Sequence, residues 1–597
     1  MIFVLPFFII LAARLFYLQV LNGESFLKTS ENNFLRRLVI DPMRGMIFDR
    51  SGRLVVDNRP SFDLEIIPKD AKNIGLVAEC LSRFIPLSKT DILQKIKKQS
   101  GLYGFRPVLI KKDIGRDLMG VILSHRLQMP GVRIHVAACR QYVYDGLAAH
   151  LIGYLGEINA RELADGRYPE KRPGDFVGRR GIEKVFERLL SGKPGSRMVQ
   201  VDATGQVVHE LRRRPQKAGD NVFLTIDLNL QQEAAALLSD KTGAIVAMDP
   251  ENGEILAMAS SPAFDQNAFV SGLSSDQWKT LSSDPRRPLQ DKAVQGLYPP
   301  ASTYKIITAM AALEEGICDT KKRIFCPGYY KFGNRNYRCW KAQGHGYMNI
   351  IDAITQSCDV FFYHMGKDLG VDRLAWYARA CGLGSKTGIV LEHESSGLVP
   401  TAEWKKRRTN ISWQAGETLS VAIGQGANLV TPIQMAVLIS AIANGGTLFR
   451  PRIVRTVESA GGVIVKETEP GIKGRIPASP ETIEVIKEGL KKVVNGKGGT
   501  GYWHVRSKQV VICGKTGTAQ VRSRKTGEES AEGKNQGLTQ PHAWFIGYAP
   551  ENKPRIAVAV LIEHGGHGSS SAGPVARQVI LSYLKNQKQE TAAKEGG

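Results

Sequence analysis

The sequence predicts an α+β protein in three successive parts, and three observations carry that prediction. Residues 1–21 form an apolar run broken only by Arg14, Gln19 and Pro6. Residues 22–219 are mixed in composition, with short strand-like stretches separated by turn signals. Residues 220–585 hold five longer apolar runs that bracket a helical middle. The composition agrees with several packed units. The chain has 597 residues, 43% hydrophobic and 8% aromatic, enough for roughly three or four folding units with cores of their own. A disordered, collagen-like or polytopic membrane protein is excluded. Lys and Arg number 80 against 57 Asp and Glu, a formal charge of +23. The basic residues are spread along the chain with no zinc-finger, helix-turn-helix or RNA-binding signature, so nucleic acid is not an expected partner. An anionic envelope of headgroups or cell-wall polymer accounts for the charge equally well.

Taken in order, residues 1–21 have about the length of one membrane span and read as an uncleaved anchor, because no basic leader and no small-x-small cleavage site is present. No Lys or Arg precedes the run, so charge cannot orient it; a true start upstream, with a short basic leader, would explain this. Residues 22–219 are expected to form an extended β-rich pedestal, with strands such as Phe62–Ile67. The basic stretch 211–219 precedes a strand-like run at 221–227, which places the domain boundary near 220. Beyond it, 243–250 and 254–259 flank Asn252-Gly253 as a hairpin. Strands are expected at 509–513, 542–548 and 555–562, giving one central sheet whose edges come from both ends of the domain. A final helix is expected around 574–583, and residues 586–597 are expected to be a disordered tail.

The chemistry begins at Tyr298-Pro-Pro-Ala-Ser302-Thr-Tyr-Lys305, just ahead of an apolar helix. Three residues apart on a helix, Ser302 and Lys305 share a face, so a desolvated neutral lysine can take the serine proton. Ser-x-x-Lys alone is weak, since a chain of this length contains one or a few by chance. Thr355-Gln-Ser357-Cys-Asp359 supplies a second element, and Gly514-Lys515-Thr516-Gly517-Thr518 a third. Lys-Thr-Gly occurs four times, at Lys241, Lys386, Lys515 and Lys525. Only Lys515 extends an apolar strand; the other three suit solvated turns.

Ser-x-x-Lys, Ser-x-Asp and Lys-Thr-Gly, in this order, resemble the motifs of the penicillin-binding transpeptidases. Flanking segments match as well: Arg44-Gly-Met-Ile-Phe-Asp-Arg50, Arg140-Gln-Tyr142 with His150 and Gly153-Tyr154, Gly178-Arg-Arg-Gly181-Ile-Glu183, Ala422-Ile-Gly-Gln-Gly426 and His542-Ala-Trp-Phe545. The chain is therefore similar over nearly its whole length to class B penicillin-binding proteins, and within them to the penicillin-binding protein 2 type. The resemblance implies a single N-terminal transmembrane helix, a non-catalytic pedestal of the dimerisation or partner-binding type, and a serine transpeptidase domain whose antiparallel sheet is sandwiched by helices beside a helical subdomain. It implies peptidoglycan D,D-transpeptidation during cell elongation, with D,D-carboxypeptidase action as a side reaction. Ser302 would attack the penultimate D-alanine carbonyl of a stem pentapeptide, Lys305 would act as base, and Ser357 would relay a proton. Asp359 stands where many relatives have asparagine. Lys515 would meet the terminal carboxylate, helped by the hydroxyls of Thr516 and Thr518. Gly517 completes the motif, and the backbone N–H groups of Ser302 and Thr518 would form the oxyanion hole. β-Lactams would acylate Ser302 by the same route.

Between the first two motifs lie Cys326, Cys339, His345 and Cys358. Three thiolates and an imidazole meet the ligand count of a closed tetrahedral zinc site, while the loose spacing leaves a disulfide plus a free thiol open. The five remaining cysteines, Cys80, Cys139, Cys318, Cys381 and Cys513, are an odd number. The penicillin-binding protein 2 type is similar in carrying metal-ligand residues in this region, which implies a structural Zn2+ that fixes the loop bearing Ser357 and Asp359, and no cofactor for the chemistry itself. The resemblance also implies the partners: stem peptides and lipid-linked nascent glycan, a RodA-like SEDS glycosyltransferase and an MreC-like scaffold, with the anchor in the cytoplasmic membrane and the catalytic domain in the periplasm. The competing readings are a division-specific transpeptidase, a β-lactam sensor or β-lactamase, and a catalytically silent scaffold.

Overall fold

The computed structural model describes residues 4–24, 35–99, 107–172, 174–201, 207–520 and 540–595. The Lys525 copy of Lys-Thr-Gly lies outside them. The catalytic half is organised by a five-stranded antiparallel sheet in the order Ile255–Ser261, Gly243–Met248, Ile556–Ile562, His542–Ala549, Cys513–Ala519. Gly243–Met248 and Ile556–Ile562 are buried at every position, so both faces of the sheet need cover. The helix Pro432–Ala443, buried along all twelve residues, packs on the central strands. Leu228–Leu237 and Ala572–Glu595 pack on the sheet and on each other. The expected strand at 509–513 begins at Cys513 and runs to Ala519, so the Lys-Thr-Gly motif is itself the edge strand. Sequence hydrophobicity ends at Cys513; what makes 514–519 a strand is pairing with His542–Ala549, in which Lys515 faces Ile546 and Thr518 faces Ala543.

The pedestal differs from a purely β-rich body. A seven-stranded sheet includes Ile47–Phe48, Leu54–Ile66, Val108–Lys111 and Val132–Tyr142. The helices Ile74–Ser82, Lys89–Gln99 and Gly115–Ser124 lie beside a second core that contains Leu64, Val77, Leu81, Ile92 and Ile110. The strand Asn221–Leu224 belongs to the same sheet, parallel to Ile47–Phe48 on one side and antiparallel to Val454–Glu458 on the other. The sheet is thus continuous across position 220 and draws strands from both halves of the chain. A separate three-stranded sheet, Leu35–Ile40, Gly195–Val201 and Val207–Arg214, joins the two ends of the pedestal's sequence.

At the start of the chain the helix Val4–Phe16 has 13 residues and passes into a single π turn, Tyr17–Leu21. Among the described residues no helix is long and apolar enough to cross a membrane; thirteen α-helical residues span about 20 Å against a hydrocarbon core of about 30 Å. The C-terminal segment corrects an expectation. Residues 586–595, read as disordered from their polar composition, continue the helix Ala572–Glu595. Gln, Lys, Glu and Ala are strong helix formers, so a polar run following an ordered helix extends it.

Three sequence segments singled out for their resemblance meet in one buried charge cluster. Arg140 Nε donates to Glu183 Oε1 at 2.7 Å, Arg44 Nε donates to Glu183 Oε2 at 2.8 Å, and Arg44 Nη2 reaches Glu187 Oε2 at 2.7 Å. Glu183 is fully buried. Burial alone would push its carboxyl up, yet the two guanidiniums outweigh that and hold it below the ordinary carboxylate range. The pedestal is fastened to the catalytic half by Arg50 to Glu254 at 3.3 Å, and by His150 and Arg180, each 2.6 Å from the carbonyl oxygens of Pro288 and Leu289 respectively.

Removing one partner from a buried charge cluster costs about 3–5 kcal/mol. Glu183→Ala is therefore expected to lose that much stability in chemical denaturation at pH 7, and a loss under about 1 kcal/mol would contradict the cluster's role. Because the folded-state pKa of Glu183 is depressed, its contribution is present above the unfolded carboxylate pKa and disappears as pH falls through the folded value. The difference between wild type and Glu183→Ala should narrow in acid.

Candidate active site

Ser302, the expected nucleophile, sits on a strained turn. A 3-10 turn, Ala301–Thr303, leads directly into the helix Lys305–Glu314. Two prolines precede it and block an earlier helical start. Ala301 has φ 51°, unfavourable for a residue with a Cβ. Its neighbours fix it there: Ala301 N–H donates to Gly424 O at 2.8 Å, Thr303 Oγ1 donates to Pro300 O at 2.6 Å, and the buried Trp544 donates Nε1–H to Pro299 O at 3.0 Å. A Cβ on Gly424 would lie 2.2 Å from Ala301 O, so only glycine allows this approach. Gly424 and Trp544 come from the segments 422–426 and 542–545 that carried the resemblance, and here they acquire a physical task.

Lys305 is fully buried at the first turn of its helix. Its ammonium donates to Ser357 O at 2.8 Å, Ser357 Oγ at 3.1 Å and Asp359 Oδ1 at 2.6 Å. Three donors meet three oxygens, which satisfies a buried charge that would otherwise be prohibitive. Ser357 lies between the helices Ile350–Thr355 and Asp359–Leu369 with φ 54°. That left-handed residue ends the first helix, and Cys358 N–H returns to Ala353 O at 3.0 Å. Among the described residues, Ser302 Oγ has no hydrogen-bond partner and is partly exposed, as suits a group that must meet a substrate.

The third element closes the cleft. Lys515 is fully buried, and among the described residues its ammonium donates only to Thr516 O, at 3.2 Å. Burial and the nearby Lys305 charge push its pKa well below the ordinary lysine value, and Asp359 opposes them. A desolvated ammonium with donors to spare is a receptor for a carboxylate. Gly517 is forced by proximity: a Cβ there would stand 3.0 Å from Trp544 Cβ and 3.1 Å from Thr303 Cγ2. The edge strand is therefore pressed against the nucleophile turn. Thr518 accepts from Gly568 N–H at 3.4 Å through Oγ1, and from Gln425 Nε2–H at 3.3 Å through its carbonyl. Thr516 Oγ1 lies 2.7 Å from Thr500 Oγ1, and Thr500 N–H donates to Thr355 O at 3.3 Å. Thr500, Gln425, Gly568 and Trp340 were not identified as site residues from sequence. Gly568 and Trp340 act here through backbone N–H groups, which leave no mark in residue type, Gln425 donates through its side-chain amide to a backbone carbonyl, and Thr500 stands in a glycine-rich stretch that reads as an ordinary turn.

The other two described Lys-Thr-Gly copies lie elsewhere. Lys241 pairs with Asp240 in a turn, and Lys386 is exposed. A cavity of about 430 Å3 between residues 146–150 of the pedestal and strand Ile255–Ser261 is lined by none of the three motifs.

The four candidate metal ligands are brought together. One ligand atom each from Cys326, Cys339, His345 and Cys358 all lie within 4.8 Å of one another. His345 Nδ1 is 3.6 Å from Cys326 Sγ and 3.5 Å from Cys339 Sγ. All eight cysteines are free thiols rather than disulfides. Hydrogen bonding from Cys358, with help from His345, favours the thiolate at Cys339 against the effect of burial. This cluster is one residue from the catalytic loop on each side. Trp340 N–H, next to Cys339, donates to Asp359 Oδ2 at 2.9 Å, and Asp359 follows Cys358. Trp340 Nε1–H also donates to Gln356 O at 3.0 Å.

Comparison with known proteins gives a consistent result. The family model described as "Penicillin binding protein transpeptidase domain" matches residues 243–581, and "Penicillin-binding Protein dimerisation domain" matches residues 39–224. The peptidoglycan D,D-transpeptidase MrdA of Haemophilus influenzae is 35% identical over 586 residues, 97% of this chain and 90% of that protein. MrdA of Acinetobacter baumannii is 36% identical over 97% of this chain and 86% of that protein. Among solved structures, penicillin-binding protein 2 in its complex with MreC from Helicobacter pylori aligns with TM-score 0.81 at 31% identity, covering 93% of this chain and 99% of that one. A structure titled "Structural coordination of polymerization and crosslinking by a peptidoglycan synthase complex" aligns with TM-score 0.72 at 33% identity over 98% and 97%.

Misplacing reacting groups by about 1 Å can lower rates about 100-fold. Gly517→Val, which must push the edge strand off Trp544 and Thr303, is expected to slow covalent labelling of Ser302 by a fluorescent penicillin by about that factor. A labelling rate within twofold of wild type would show that the contact does not set the cleft.

Proposed function

The chain belongs to the penicillin-binding protein 2 family of class B penicillin-binding proteins and is a peptidoglycan D,D-transpeptidase, and we propose that it cross-links stem peptides during cell elongation through an acyl-enzyme on Ser302. The observation that carries the assignment of roles is the convergence of Ser302, Lys305 with its three acceptors on Ser357 and Asp359, and the under-coordinated Lys515 in one cleft.

Lys515 takes the terminal carboxylate of the donor pentapeptide, supported by the hydroxyls of Thr516 and Thr518. Ser302 Oγ then attacks the carbonyl carbon of the penultimate D-alanine. Lys305, held as an ammonium by its three acceptors, must first release one proton by way of Ser357 Oγ, and the resulting amine takes the serine proton while the N–H groups of Ser302 and Thr518 receive the oxyanion. The C–N bond to the terminal D-alanine breaks, and the proton reaches the leaving amine through Ser357 Oγ, which lies on Lys305 Nζ. An amine from a neighbouring stem peptide resolves the ester by the reverse sequence of proton transfers. A β-lactam amide opens on Ser302 by the first half of this route. Asp359, holding Lys305 with one oxygen and the Trp340 amide with the other, fixes where the lysine stands.

Cys326, Cys339, His345 and Cys358 would hold a structural Zn2+. The fit is geometric: a tetrahedral ion with Zn–S about 2.3 Å and Zn–N about 2.0–2.1 Å separates sulfur from nitrogen by about 3.6 Å, and the two S···N distances are 3.6 and 3.5 Å. A bound ion would supply no acyl-transfer chemistry; it would fasten the chain on both sides of Trp340 and Asp359.

Anchorage in the cytoplasmic membrane, with the catalytic half in the periplasm, is supported by the open apolar surface of residues 4–21, where Leu5, Phe7 and Phe8 are each about two-thirds exposed. An MreC-like scaffold as partner is supported by the Helicobacter pylori complex with MreC, and a glycan-polymerising partner, RodA-like and acting on lipid-linked nascent glycan, by the peptidoglycan synthase complex that couples polymerization to crosslinking; contact would run through anchor and pedestal.

Intact-protein mass spectrometry after exposure to penicillin is expected to show one stable adduct on wild type, none on Ser302→Ala, and on Lys305→Ala a labelling rate lower by about 100-fold or more. Normal labelling of Lys305→Ala would refute its role as base. Cys339→Ser is expected to lower zinc content and thermal stability together; unchanged zinc stoichiometry would remove the metal proposal.

A further inference from the structure

The excursion between the first two motifs carries a surface that acyl transfer does not use. From Thr320 to Ile351 there are seven Lys and Arg and no Asp or Glu. Large aromatic side chains of this stretch stand open to solvent, among them Phe325, 53% exposed, Trp340, 60%, and Tyr347, 66%. Phe325 and Tyr347 face each other across the strand pair Ile324–Cys326 and Gly346–Met348, with ring centroids 5.1 Å apart. Trp340 packs edge-on to His345, two residues before Tyr347, at 5.4 Å. An exposed cluster of this kind in a globular domain marks a binding surface, and aromatic anchors are what such surfaces are built on.

Its position relative to the cleft is fixed. Both N–H donors of Trp340 are committed to the catalytic loop, the backbone one to Asp359 Oδ2 and the indole one to Gln356 O. The indole is therefore held rigidly, with an open face, directly beside the loop that carries Ser357. Its exposed cations, among them Arg323, Arg338 and Lys341, have no acidic neighbour in this segment to neutralise them.

We propose that this face is a subsite for the glycan strand of peptidoglycan, on which pyranose rings of the amino sugars stack against Phe325, Trp340 and Tyr347 while the surrounding cations meet carboxylates of the attached stem peptides. This deepens the transpeptidase reading and rests on it. The C–H bonds on one face of a pyranose complement the negative face of an aromatic ring, and the unbalanced positive charge complements an acidic peptide. A strand seated here presents its peptide to the adjacent cleft.

The test uses the full chain in detergent, at fixed salt, with purified glycan strands from which an amidase has removed the peptides, so that the strand is probed without peptide and carries only its lactyl carboxylates. The variant is Phe325→Ser/Tyr347→Ser, which leaves Trp340 and its hydrogen bonds in place. Binding to stripped strands is expected to fall about fivefold or more in the variant, measured relative to penicillin acylation of the same preparation. The same variant is expected to cross-link strands more slowly relative to its acylation rate. Absence of wild-type binding to stripped strands, or equal binding by the variant, would overturn the proposal; so would binding that needs only the stem pentapeptide. Failure of wild type to be acylated by penicillin would instead strike the transpeptidase reading, and the glycan-binding result would still stand apart from it.

Discussion

The contact on which the site depends is the buried pair of Lys305 Nζ and Asp359 Oδ1 at 2.6 Å. It joins the first turns of two helices, Lys305–Glu314 and Asp359–Leu369, that lie more than fifty residues apart in the chain. A fully buried ammonium is tolerable only when its hydrogens are matched, and here Ser357 supplies both remaining acceptors. Asp359 has the same need, since its second oxygen would be orphaned without the Trp340 amide. The chain of requirements runs from Lys305 to the excursion that holds Trp340, and through Cys339 and Cys358 to the thiol and imidazole cluster. What looks like an insertion between motifs is a support for one carboxylate.

On the opposite wall the constraint is steric. The edge strand Cys513–Ala519 approaches the Ser302 turn so closely that a Cβ at Gly517 would make tight contacts of 3.0 and 3.1 Å, and Gly424 meets the same turn from the other side. Between them the turn is held with Ala301 at φ 51°, while across the cleft Ser357 sits at φ 54°. Left-handed non-glycine residues typically cost on the order of 1–3 kcal/mol each. That energy is offset by the packing of Trp544 and by the hydrogen bonds on Pro299, Pro300 and Ala301, and the return is a serine hydroxyl with no internal partner. An edge strand is the right place for Lys515 because only one side of it is paired.

The sequence was informative where function demands a residue type and silent where it demands a backbone position. Ser302, Lys305, Ser357 and Lys515 were legible from type and spacing, and Lys515 could be chosen among four identical tripeptides because an apolar run precedes it. The strand holding it was misplaced by four residues, since Gly514–Ala519 has little hydrophobic signal and becomes a strand through pairing with His542–Ala549. The pedestal's helices and second core escaped notice because helices such as Lys89–Gln99 are short and largely polar. The stitch at Asn221–Leu224 is a tertiary fact, as no local pattern says that a strand will pair with Ile47–Phe48 and Val454–Glu458 at once. The helix through Glu595 was missed for another reason: low hydrophobicity was taken as a sign of disorder in a segment whose residues favour helix.

The excursion shows how charge and fastening depend on each other. Its strands are three or four residues long, and most of its side chains are exposed. A segment of this size buries too little apolar surface to hold a shape, and seven cations with no acid among them repel one another. Its ties are Tyr363 OH donating to Arg338 O at 3.1 Å, two short strand pairs, and the two Trp340 donors. The convergence of three thiols and an imidazole at its base is therefore what such a segment requires, whether it is read as a metal site or as a hydrogen-bonded cluster. Neutralising the cations would relieve the repulsion more simply. That the chain keeps both the charge and the fastening means that the charged aromatic face is itself the feature being displayed, beside the loop on which the catalytic lysine depends.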